Sequence, residues 1–316
     1  MLRLNAARNA DEVSPLNAWV RNYDPRTRYL GIGRTLIALA QLSILAFTPV
    51  EALMVPVGST VGPKCGSIQS ISLYCIGGDA HLGVKHCIIG VLLLVVASGY
   101  RPRYTSIIHA WVTVSISGSI TLPDGGESVA RVVTLLLILV CLADNRVWHW
   151  RAPSTPAQPT LSAISLAALI FVRLQIAYLY IDSAIAKFGV DNWADGSAEY
   201  YFIRNPMFGS AGPIDTAARA ITTHALPTVM LTWGALAIEL IIGLAILGGT
   251  RSRRIALILD CALHAGIILT MGLWSFSLVM IGSATVAAAP HSVTRDAAIK
   301  SQGQPCRTAQ QGPRSA

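Results

Sequence analysis

An all-α, polytopic membrane bundle of about eight helices is predicted by three observations. Of the 316 residues, 53% are apolar and only 13% are charged, with a mean hydropathy of +0.54. Soluble chains average about 45–50% apolar and about 25% charged residues. The apolar residues fall in long blocks rather than amphipathic stripes, and Lys and Arg gather in alternate connecting segments. An ordinary soluble domain is excluded by this composition, and so is a disordered chain, which lacks the apolar residues needed to bury anything.

A hydrocarbon core about 30 Å thick needs about 20 mostly apolar helical residues. The first four candidate spans are 31–53, 82–99, 104–121 and 129–143, and the last four are 161–187, 227–249, 255–271 and 274–290. The fourth and seventh are short and call for tilt adjustment or local thinning. The seventh and eighth are so close in sequence that they form a tight helical hairpin. Orientation follows from the cations, because positively charged loops stay cytoplasmic. Five segments rich in arginine share one side if both termini are cytoplasmic: residues 1–30, the connections at 101–103, 146–151 and 251–254, and the stretch after 290. The alternate loops carry mainly Lys64, Arg204 and Arg219, together with Asp79, Asp124, Glu127, Asp191, Asp195, Glu199 and Asp215.

The expected layout is a cytoplasmic segment 1–30, a transmembrane domain 31–290 and a disordered cytoplasmic tail 291–316. A proline-rich linker near 151–160 divides the bundle into two groups of four. No cleavable signal peptide is visible, so the first span reads as a signal anchor. The net charge of +8 is then mostly the positive-inside bias, with anionic lipid headgroups as partners and no nucleic acid required.

Cys87, Cys141 and Cys261 lie within spans, where cysteine behaves as a small apolar residue. Cys65 and Cys75 fall in an outer loop, where the pair reads as a structural disulfide, the alternative being two free thiols. Arg34, Lys85 and Arg131 lie near span ends and are expected to snorkel. His109 reads as a hydrogen-bonded packing residue.

The fifth span is unlike the others. Arg173, Gln175, Tyr178, Tyr180, Asp182, Ser183 and Lys187 give it a long polar series. Helical spacing puts Gln175, Tyr178 and Asp182 on one face, and Tyr180, Ser183 and Lys187 on a neighbouring one. Lipid solvates neither face, so both are expected to look into protein or a water-filled cavity. Glu239 sits mid-span and needs a cation or a proton, with Arg173 as one candidate partner. Asp260 and His264, at i and i+4, are expected to touch, the carboxylate setting the imidazole tautomer. For these three, a structural hydrogen-bond network competes with catalysis. No spacing suits a metal, and no phosphate-binding loop or nucleophile elbow is present.

The series Arg173-Leu-Gln175, Tyr178, Ser183, Lys187-Phe, Trp193-Ala-Asp-Gly196 and Tyr200-Tyr201 resembles the central signature of the horizontally transferred transmembrane family. That family includes the vitamin K-dependent gamma-carboxylase. Within it the chain most resembles the SdpB-like branch, over roughly residues 20–290. The resemblance implies that Lys187, at the outer end of its helix, is a base, as the matching lysine is toward a reduced quinone in the carboxylase. Asp182, Tyr178, Tyr180, His264, Glu239 and Asp260 would support it or relay protons, and Gln175, Trp193 and Gly196 would complete the motif. One residue more separates lysine from tryptophan than in the carboxylase, and the loops hold no large propeptide-binding domain. No cofactor is named by the residues, although a lipid quinone can approach sideways through the bilayer. The SdpB-like branch is associated with maturation of a secreted antimicrobial peptide, alongside a small partner protein and the toxin precursor. Two other readings stand beside it. One is a non-enzymatic escort, export or immunity protein; the other is an ion or proton pathway through Glu239 and Asp260.

Overall fold

In the computed structural model, residues 23–293 are described except 56–61, 64, 79, 122–124 and 211. Besides helices and their connections, the described chain has a two-residue antiparallel pairing of β1 (Tyr23–Asp24) with β2 (Ser292–Val293) and an isolated bridge between Tyr100 and Trp148. Lys64, Asp79, Asp124, most of the segment 1–30 and nearly all of the tail lie outside the described residues.

Each expected span coincides with a helix. The first is α1 (Arg28–Phe47), which stops at Thr48-Pro49 before the short α2 (Val50–Leu53), because proline cannot donate to the preceding turn. Then follow α3 (Leu82–Ser98), α4 (Pro102–Ser119), α5 (Gly125–Val140) and α6 (Pro159–Phe188). Three short helices, α7 (Asp191–Ala194), α8 (Ala198–Ile203) and α9 (Pro213–Ile221), cap one end of the bundle. The chain returns through α10 (Ala225–Ile246), α11 (Thr250–Met271) and α12 (Trp274–Ala287). Five of these are long and apolar enough to cross a membrane: α1, α5 with its 3₁₀ extension to Ala143, α6, α10 and α11.

Two expected short spans are therefore corrected. The fourth starts at Gly125 and the seventh at Thr250, so both reach the length of a crossing. Polar residues such as Glu127 and Arg251 hid their first turns, although a helix continues through polar residues wherever its backbone bonds remain satisfied. The eighth is the short one. At 14 residues, α12 is about 21 Å long, yet most of it is buried and its neighbours shield it from lipid. The hairpin expected before it turns at Gly272, whose φ of +69° is the left-handed cap that ends α11.

Helix α12 packs on α1, α5, α6 and α11. Its closest neighbour is α1. A Cβ at Gly33 would lie 2.5 Å from the Gly282 carbonyl oxygen, and one at Gly282 would lie 2.8 Å from the Gly33 oxygen. The backbones of α1 and α12 thus meet directly, as small residues permit in membrane bundles.

The cores do not divide at the proline-rich linker. One cluster joins α1 to α2, α3 and α4; the larger joins α1 to α5, α6, α10, α11 and α12. Helix α1 belongs to both. The linker is also tied down, since Arg26 donates to the Thr155 carbonyl at 2.7 Å and Asn145 to the Thr155 hydroxyl at 3.3 Å.

Two residues expected to snorkel are buried instead. Arg34 is 1% exposed and donates to Thr105. Lys85 donates to the carbonyls of Tyr74 and Gly78, next to the Cys65–Cys75 disulfide. Arg131 is exposed. His109 donates to Gln41 Oε1 at 3.1 Å, and Gln41 in turn donates to Thr113 at 3.0 Å. Helix α4, the most polar of the long helices, turns its hydroxyls toward these partners and the loop before α3.

Backbone contact between α1 and α12 leaves no room for a methyl group. Gly33→Ala is expected to lower stability by about 1–3 kcal/mol, the cost of overpacking. Gly234→Ala, at a glycine facing open space, should leave it unchanged; thermal unfolding in detergent compares the two.

The His149 ring, in the connection before α6, wedges between Gly31 and Gly99. Burial, aided by Arg34 and Arg146, pushes its pKa down from 6.5 to about 4. The unfolded chain therefore takes up a proton that the folded chain refuses, and stability falls as pH drops from about 6.5 toward 4. His149→Phe is expected to flatten that part of the pH–stability curve, read by thermal melts.

Candidate functional site

Between α6, α10, α11 and α12, capped by α7 and α8, lies a cavity of about 410 Å³. Its volume is within the range of small-ligand sites, which are mostly apolar with a few placed polar groups. The polar groups here are Tyr180, Ser183 and Lys187 of α6, Glu199 of α8, Glu239 of α10 and His264 of α11. Apolar side chains such as Leu179, Phe202, Ile267 and Phe276 make the rest of the wall.

Packing decides which face of α6 looks into this cavity. Val172, Ile176, Tyr180 and Ala184 are buried at helical spacing. Gly243 of α10 sets the distance to the neighbouring helix, because a Cβ there would lie 2.7 Å from Ile181 and 3.1 Å from the Ala177 oxygen. The close approach brings Glu239, one turn away on α10, to Lys187.

Lys187 Nζ donates to Glu239 Oε1 in an ion pair whose side chains are 26% and 11% exposed. The ammonium also stands over the Trp193 ring, 5.0 Å from its centroid, a second electrostatic attraction. Trp193 is placed by α7, by its packing on Phe202, and by Trp233 Nε1, which donates to its carbonyl at 3.2 Å. Glu199 enters the wall from α8, its backbone N–H donating to Thr232 Oγ1 at 3.2 Å. Burial pushes the Glu199 carboxyl up, against an opposing pull from Lys187.

Beneath the ion pair, Tyr180 Oη donates to Asp260 Oδ1 and lies 2.9 Å from His264 Nε2. Asp260 and His264 are both buried. They do not bond directly, as their spacing led one to expect, because Nε2 and Oδ1 are 3.8 Å apart with the tyrosine between them. Phe276 packs edge-on to the imidazole.

The expected inward face of Gln175, Tyr178 and Asp182 is corrected. Tyr178 is 60% exposed, Asp182 is exposed and Gln175 is half-buried; none lines the cavity. A count of polar residues does not say which stripe of a helix is packed. Arg173 is not the partner of Glu239. It donates to the carbonyls of Ala287 at 3.0 Å and Ala289 at 2.8 Å, satisfying the open end of α12. Gly196 turns the chain between α7 and α8 at φ +84°, with Val229 3.0 Å from where a Cβ would stand.

Sequence reasoning missed Glu199 and Phe276, since a loop acid and a span aromatic carry no sign of where they point. Tyr180 shares a face with Lys187 by helical spacing, but its links to Asp260 and His264 join residues 80 and 84 positions apart and leave no trace in local spacing.

The uncharacterised protein YitO of Bacillus subtilis (strain 168) is 34% identical to this chain over 264 residues, 82% of this chain and 84% of YitO. The chain belongs to the YitO family. The sporulation-delaying protein SdpB of the same organism is 27% identical over 276 residues, 86% of this chain and 84% of SdpB, so the YitO-family chain is SdpB-like as well. No family model matches the chain, and no solved structure does. Together with the five long apolar helices, the SdpB likeness makes this YitO-family chain a membrane protein.

A charge pair in a mostly apolar wall makes each partner depend on the other. Glu239→Gln leaves the Lys187 ammonium uncompensated and is expected to cost about 3 kcal/mol, whereas removing both charges recovers much of the loss. A double-mutant cycle with Lys187→Met, read by thermal unfolding, measures the coupling.

Proposed function

We propose that this chain is a multi-pass protein of the bacterial cytoplasmic membrane that takes part in maturation of a secreted antimicrobial peptide. Eight of its helices, α1, α3 to α6 and α10 to α12, cross the bilayer with both termini cytoplasmic, an arrangement supported by the alternation of arginine-rich connections. The short α12 crosses inside a sheath of other helices. The likeness to SdpB, a sporulation-delaying protein, supports the link to such a peptide, and the motif around Lys187 supports membership of the horizontally transferred transmembrane family. The partners are membrane lipids, the peptide precursor and a small companion protein.

The observation that carries the reading is the Lys187–Glu239 pair at the wall of a ligand-sized cavity, close to the capping helices. In the working form of the site, Glu239 takes one proton from Lys187, and the freed amine takes a proton from the substrate. Asp260, His264 and Tyr180 lie within the same cavity wall or directly behind it. Tyr178 and Asp182 have no part in the chemistry on this reading, because they face away.

One observation favours a second reading. Lys187 is held as a cation by both a carboxylate and an indole ring, which suits an anchoring role in an escort, export or immunity protein. The two readings separate on Lys187→Arg. Arginine keeps the charge and the ion pair but holds its proton too tightly to act as a base. Mass spectrometry of the secreted peptide, from wild type, a deletion strain and Lys187→Arg at equal expression, is expected to show the mature mass in wild type alone. Full processing in Lys187→Arg would remove the base role; full processing in the deletion strain would remove maturation.

A further inference from the structure

We infer that His264 is a proton acceptor in the cavity wall, held in a single tautomer by Tyr180, and that the cavity takes an amphiphile presenting an N–H or O–H donor to it. The inference rests on the proposal that this cavity is the working site.

A tyrosine hydroxyl carries one proton, and Tyr180 gives it to Asp260 Oδ1. With Asp260 as the carboxylate, that oxygen is left only to accept, so the His264 nitrogen 2.9 Å away is the donor. That assigns the ring hydrogen to Nε2 and leaves Nδ1 with a bare lone pair. Nδ1 is buried and has no hydrogen-bond partner among the described residues, while the His264 ring forms part of the cavity wall. Glu239 Oε2 is a second buried acceptor without a partner among them. Both atoms call for donors, and the apolar remainder of the wall calls for an apolar body.

Proton acceptance is complete within these residues. The ligand's X–H bond breaks, its electron pair stays on X, and the proton goes to Nδ1. The resulting imidazolium keeps its Nε2–H bond to Tyr180. Asp260 Oδ1, 3.8 Å from Nε2 and fully buried, offsets the new charge. Tyr180 and Asp260 are positioning residues: they set which nitrogen is free and how the ring is oriented. The sequence suggested that Asp260 would do this by direct contact; the fold does it through a tyrosine.

The test is nitrogen NMR of the full-length protein, labelled with ¹⁵N-histidine in detergent micelles. The His264 signals are assigned by their loss in His264→Gln. Wild type is expected to show a protonated Nε2 and an unprotonated Nδ1, and Tyr180→Phe a mixture of the two tautomers. A protonated Nδ1 in wild type, or the same single tautomer in Tyr180→Phe, overturns the assignment. Peptide maturation gives the second readout: His264→Gln should lose about 100-fold or more in rate, the usual scale of general acid–base catalysis. Undiminished maturation in His264→Gln overturns the acceptor role. Maturation that does not need this chain at all defeats the proposed function instead, and the tautomer is still decided by the wild-type spectrum.

Discussion

Contact between Gly33 and Gly282 brings α1 and α12 together at backbone distance, and the rest of the bundle is arranged around that contact. Because α12 lies against α1, it occupies the middle of the helices rather than their edge. It can then be only 14 residues long, since no part of its ends has to meet lipid unaided. Helix α1 carries apolar side chains into both cores, so the two halves of the chain share one element instead of meeting across a surface. The cavity follows from the same arrangement: α12 supplies Phe276 and Met280 to a wall shared with residues of α5, α6, α7, α8, α10 and α11.

Within this frame many buried polar groups are turned toward one another. Gln41, Thr113 and His109 are hydrogen-bonded to one another between α1 and α4. Arg173 closes the carbonyl end of α12, and Lys85 closes the loop that carries the disulfide. In the cavity wall Glu239 Oε2 and His264 Nδ1 are left without partners among the described residues. Unpaired acceptors are costly to a fold, and these two belong to residues that line a ligand-sized cavity.

Much of the fold was legible in the sequence because hydropathy and helix length are properties of short windows. All eight expected segments contain a helix, and the hairpin at Gly272 was implied by how few residues separate two apolar blocks. Boundaries failed where charged residues sit within a helix, as at Glu127 in α5 and Arg251 in α11. Part of the candidate site was also legible: Lys187, Glu239, Asp260 and His264 stood out as ionisable residues inside apolar stretches. Their pairing was not legible. Arg173 and Lys187 are both cations on α6, and only the crossing of α6 with α10 at Gly243 selects Lys187 for Glu239.

The sequence alone determined that this chain is a helical membrane protein, how many apolar segments it has, and which ionisable residues stand within them, because each of those follows from local composition and a fixed helical rise. The tertiary structure decided which faces are buried, that Tyr180 stands between Asp260 and His264, and that Tyr178 and Asp182 look outward. The physical reason is that a helix offers several stripes of similar polarity, and contact with other helices, tens of residues away, selects the one that is enclosed.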